Sequence, residues 1–144
     1  MQNLMETNIY EPKGKVLICG SCLPKMQPIG YANLVGDFDF VMNVCLEREH
    51  INMAITKIQA MLSTGQITQL VFASVNKAPH CVQLHYIKKE LKRGGVNLPP
   101  IFSFIIEDNK LHYINGDAIA LSKDLISLCK TLEQSREIKI APKE

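Results

Sequence analysis

Cys19 and Cys22 enclose two small residues in the run Cys19-Gly20-Ser21-Cys22. Two thiols at this spacing can turn inward through a tight turn, which suits two ligands of one metal ion or a small disulfide ring. Cys45 and Cys81 stand alone, each close behind an apolar run, and His80 precedes Cys81 directly. Four thiolates gathered at tetrahedral spacing suit zinc or an iron-sulfur cluster, and soft sulfur ligands disfavour magnesium and calcium. His50, His80 and His85 add nitrogen donors. His85 falls four residues after Cys81, on the same face of a helix, as an alternative ligand or an outer-shell donor to a cluster sulfur. A helix beginning near Cys81 would favour its thiolate.

These residues need elements to bring them together. Lys15 to Cys19 is a short apolar run of the kind that forms a strand covered on both faces, and Phe38 to Cys45 alternates and ends apolar. Between them Pro24, Pro28, Gly30 and Gly36 allow only a brief or irregular helix. Ile51, Ala54, Ile55, Ile58, Met61 and Leu62 repeat at steps of three and four, predicting a helix over 47–64 with Gly65 as its stop. Leu70 to Val75 reads as a third strand. A second helix runs from about His80 to Arg93, with Leu84, Ile87 and Leu91 as its stripe, a basic end at Lys88, Lys89, Lys92 and Arg93, and Gly94-Gly95 as its stop. Ile101 to Ile106 and Leu111 to Ile114 form a hairpin through Asp108-Asn109. Ser122 is expected to cap a last helix over 123–134, with Leu125, Ile126, Cys129 and Leu132 facing the core.

This order predicts an α/β fold: a three-layer arrangement around a mainly parallel sheet of four to five strands, with helices on both faces, a C-terminal antiparallel hairpin and a closing helix. Residues 1–14 read as a flexible arm, 15–134 as a single domain and 135–144 as a tail. In open sheets of this kind ligands bind beyond the carboxyl ends of the strands. Cys19, Cys22, Cys45 and Cys81 all fall at that edge, whereas Cys129 reads as core. Taken singly, each of the four is as well explained by packing, since free cysteine is among the most buried residue types.

Composition narrows the function. Sixteen Lys and Arg against fourteen Asp and Glu leave a formal charge of +2, too small a field to hold nucleic acid. No apolar run is long enough to cross a bilayer, and the N-terminus lacks the apolar core of a signal peptide, so no membrane insertion and a cytoplasmic location are expected. Five cysteines are too few for a disulfide scaffold. Neither a glycine-rich phosphate loop nor a Gly-x-Ser-x-Gly elbow occurs, and carboxylates near the strand ends are limited to Asp37, Glu47 and Glu49. Met42, Met53 and Met61 read as packing. His112 reads as an edge histidine, and the basic helix end as a solvated surface or a patch for an acidic partner.

The order of features resembles the small iron-sulfur delta subunit of methyl-viologen-reducing hydrogenases. That family has a Cys-x-x-Cys after its first strand, a lone cysteine ending the second, and a cysteine near a His-Tyr pair after the third; Cys19 with Cys22, Cys45, and Cys81 with His85-Tyr86 match here. The likeness spans about residues 15–95 and departs in one place. The family's further cysteine after strand three is missing from Asn76-Lys77-Ala78-Pro79-His80. The resemblance implies an electron-transfer subunit with a small cluster, docked on a protein partner in a redox complex.

The chain is also similar, more distantly, to thioredoxin-like domains. That likeness makes Cys19 the attacking thiol, Cys22 the resolving thiol, and Pro99 or Pro100 the proline facing them. Three functions are therefore carried forward. The first is an iron-sulfur or zinc protein using Cys19, Cys22, Cys45 and Cys81. The second is a thiol-disulfide oxidoreductase using Cys19 and Cys22, and the third is an interaction module without a cofactor.

Overall fold

The computed structural model describes residues 1–94 and 97–136. The chain divides into two compact units after Tyr113. The first is built on a six-stranded sheet in the order β1-β3-β2-β4-β5-β6. Its strands are β1 (Gln2–Asn3), β2 (Gly14–Gly20), β3 (Phe40–Val44), β4 (Ile67–Val75), β5 (Ile101–Glu107) and β6 (Lys110–Tyr113). All neighbours are parallel except β5 and β6. The helices of this unit are α1 (Leu23–Met26), α2 (Pro28–Val35), α3 (Ile51–Ser63) and α4 (Gln83–Arg93).

The strands form where the sequence is apolar without interruption, because central parallel strands are covered on both faces. Successive side chains then divide between two cores. Val16, Ile18, Leu70 and Phe72 pack with Ala54, Ile58 and Met61 of α3 and with Leu84, Ile87 and Leu91 of α4. Leu17, Cys19, Val71, Ala73 and Val75 pack with Leu23 of α1 and Leu34 of α2. The expected three-layer α/β arrangement is therefore observed, including the antiparallel hairpin. Asp108 and Asn109 turn that hairpin at φ 54° and 58°, the left-handed pair that a two-residue connection needs. Asn109 also accepts hydrogen bonds from the amides of Ile29 and Gly30, tying the turn to the start of α2.

Several local expectations are corrected. The segment read as a lead-in arm supplies the sixth strand: β1 pairs with β3, and Leu4, in a 3₁₀ turn over Leu4–Glu6, is wholly buried. No periodicity marks so short an element; one buried leucine anchors it. The helix predicted over 47–64 begins only at Ile51, because Arg48 and Glu49 turn back onto the Cys45 carbonyl and the His50 ring caps the amide of Asn52. Met53, expected in the core, is exposed.

In the second unit α5 (Gly116–Leu121) precedes α6 (Leu125–Arg136). Ser122 closes α5 by donating to the Ile119 carbonyl, and Asp124 caps α6 by accepting from the Ser127 amide and hydroxyl. Its expected core face is not buried: Leu125, Ile126 and Leu132 are exposed, as is Cys129. Gly95 and residues 137–144 of the expected tail lie outside the described residues. Among the described residues no helix is long and apolar enough to cross a membrane.

Candidate functional site

Within the sheet β2 is flanked by β3 on one side and β4 on the other. The chain leaving β2 runs into α1 and α2 on one face, and the chain leaving β4 runs into α4 on the other. Connections that part in this way open a crevice beyond the carboxyl ends of the two strands, the usual ligand position in such sheets. Cys22 lies at the start of α1 and Cys81 just before α4. Their sulfurs meet across the crevice at 3.5 Å.

Neighbouring backbone fixes this meeting. The Ser21 amide donates to the Val44 carbonyl, and the Ser21 hydroxyl bonds to Asn43 Oδ1 at 2.8 Å, so the turn carrying Cys22 is held against β3. Lys77, at φ 62°, turns the chain out of β4. Gly20 leaves the space the sulfurs use: a Cβ there would stand 3.3 Å from Cys81 Sγ and 4.0 Å from Cys22 Sγ. A cavity of about 220 Å³ adjoins the pair, and its lining includes Cys22, Cys45, Glu47, His80 and Cys81. Among the described residues no Lys or Arg lines it.

Burial pushes the Cys81 thiol up to about 12, helped by its hydrogen bond with Cys22 and by the charges of Cys22, Cys45 and Glu47. The expected help from a helix start is thus outweighed. Burial, with the sulfur and carboxylate crowded beside it, keeps the proton on Cys81 until a positive ion or a covalent bond changes its surroundings. Glu47 and His80 approach one another only loosely, at 3.9 Å, and both are largely exposed.

The other expected site residues are placed differently. Cys19 is wholly buried among Leu17, Ala73 and Leu23, and its nearest bonded partner is Met1 Sδ at 3.5 Å. Burial pushes its thiol up to about 12 as well. It does not line the cavity that Cys22, Cys45 and Cys81 share. His85 is buried, and its Nε2 lies 2.8 Å from Ser74 Oγ. Pro99 and Pro100 precede β5, with the Pro100 carbonyl accepting from the Leu70 amide near the start of β4. They stand at the amino edge of the parallel sheet, opposite the cysteines, so they do not face Cys19 or Cys22.

The structure therefore joins Cys22 to Cys81, sets Cys45 beside them, and leaves Cys19 in a core. Among the described residues no three His, Cys, Asp or Glu side chains already stand in ligand geometry. Gly20 and Ser74 are the additions that sequence reasoning missed, and Glu47, noted there only as a carboxylate near a strand end, lines the cavity. The uninterrupted apolar run of β2 carried one available signal: both of its faces are covered, so Cys19, within the run beside Ile18, is buried with Leu17.

No family model, curated protein or solved structure matches this chain.

Proposed function

We propose that this protein binds a soft metal ion or a small iron-sulfur cluster through Cys22, Cys45 and Cys81, and that it serves as an electron-transfer subunit for a protein partner. The 3.5 Å approach of Cys22 Sγ to Cys81 Sγ carries the reading. Two thiolates each about 2.3 Å from a tetrahedral zinc ion stand about 3.8 Å apart, so this separation lies within a few tenths of an ångström of a shared ion. The chemistry of the cavity fits as well, with three thiols, one imidazole and one carboxylate as its donors and, among the described residues, no Lys or Arg in its lining. A thiophilic cation would offset the burial and the neighbouring negative charge that keep Cys81 protonated.

In this reading Cys45, which lines the same cavity, completes a three-sulfur set by a movement of its side chain, and Glu47 or His80 supplies the fourth ligand more readily than Cys19, which would have to leave its packing. Five unpaired thiols suit a reducing compartment such as the cytoplasm. The small net charge suits docking on another protein.

Anaerobic purification followed by metal and acid-labile sulfide analysis tests the reading. A cluster gives brown protein containing iron and sulfide, and a zinc site gives stoichiometric zinc without sulfide. Either content should be lost in Cys81→Ser and Cys45→Ser and kept in Cys19→Ala. Protein that contains neither, and takes up no zinc when it is supplied, would overturn it.

A further inference from the structure

We infer that Cys22 and Cys81 are also a reversible disulfide couple, so that the same two sulfurs alternate between holding an ion and holding each other. The inference concerns a pair of residues not paired by the Cys19-Cys22 spacing, and its ion-holding half rests on the proposed metal reading. Four observations support it. The sulfurs are already in contact at 3.5 Å, against about 2.05 Å in a formed bond. Both side chains are half-buried, within reach of a small oxidant. Gly20 leaves open the space beside them into which rotation can carry the sulfurs. Cys19, the other thiol near Cys22 in sequence, is wholly buried in the core and engaged with Met1 Sδ.

The oxidant is a low-molecular-weight disulfide. The Cys22 thiolate attacks one of its sulfurs and expels the first small thiolate, forming a mixed disulfide. Cys81 then attacks Cys22 Sγ and expels the second. Two electrons pass from the cysteine pair to the small disulfide, and the two protein thiol protons end on the two small thiols released. Cys81 suits the second role because its sulfur already stands 3.5 Å from Cys22 Sγ. An ion bound by the pair loses two ligands in this step and leaves.

The test uses the full chain, as isolated and after zinc loading, treated with graded oxidised glutathione and mapped by peptide mass spectrometry without reduction. The expected product is a single Cys22-Cys81 linked peptide, formed with release of one zinc per disulfide and reversed by dithiothreitol. Cys45→Ser should give the same linkage, which guards against a change of fold in any one variant. Protein that takes up no zinc but yields this peptide overturns the metal reading and leaves the couple standing. A Cys22-Cys45 or Cys19-Cys22 linkage, or stable mixed disulfides on Cys22 that Cys81 never resolves, overturns the couple.

Discussion

Ser74 Oγ lies 2.8 Å from His85 Nε2, and both side chains are sealed from solvent. The bond ties the end of β4 to α4 one turn beyond Cys81. Ser74 Cβ and Cys81 Sγ both stand within 4 Å of the empty Cβ position of Gly20, so this pair supports the floor of the crevice.

Burial holds the His85 imidazole neutral, lowering it from its ordinary 6.5 to about 4. Between those values the unfolded chain takes up a proton that the folded chain refuses. The stability contributed by neutral His85 is therefore complete above about pH 6.5 and is lost as the pH falls towards 4. A shift of this size corresponds to roughly 3 kcal/mol. Urea unfolding across that window should show this loss in the native protein and not in His85→Gln; parallel curves would assign the acid sensitivity to other groups.

Replacement of Gly20 by alanine puts a methyl group 3.3 Å from Cys81 Sγ. The sulfurs must give way by a few tenths of an ångström, at a cost of about 1 kcal/mol, the low end of overpacking. Circular dichroism should show an intact fold with a slightly lower Tm, while zinc uptake and Cys22-Cys81 linkage both weaken about tenfold. Unchanged uptake would mean that the sulfurs do not depend on this space.

Thiol reactivity should separate the cysteines. With its thiol at about 12, Cys19 is a thiolate in on the order of one molecule in 100,000 at pH 7, and it is buried besides. Iodoacetamide followed by mass spectrometry should modify exposed Cys129 first and Cys19 only after unfolding. Early modification of Cys19 would remove it from the core.

Leu4→Ala tests the N-terminal segment. A wholly buried leucine at this position should cost about 3 kcal/mol on truncation, measured by chemical denaturation. A change below about 0.5 kcal/mol, the usual range for surface sites, would return residues 1–14 to the status of an arm.

Much of the sheet was legible because its strands carry their own signals. The apolar runs at Val16–Cys19 and Leu70–Val75, the stripe of α3 and the Asp108-Asn109 turn each follow a local rule that the tertiary structure keeps. The convergence of Cys22 and Cys81 was legible only as a shared edge. Which sulfurs meet depends on strand order, and nothing local to either cysteine states that β2 lies beside β4. Cys19 lies at the strand end as expected, but the burial of its side chain among Leu17, Ala73 and Leu23 follows from the sheet being covered on both faces. The two-residue β1 and the exposed stripe of α6 had opposite faults: the first is too short to show a period, and the second shows a period that burial does not follow.

The meeting of Cys22 with Cys81 also has a temporal side. At about 5–20 residues per second, the 59 residues that separate them take roughly 3 to 12 s to synthesise. For that interval the nascent chain carries Cys22 without its partner sulfur. Any ion is best received after Cys81 has emerged, and a ribosome stalled before β4 holds a thiol whose site does not yet exist.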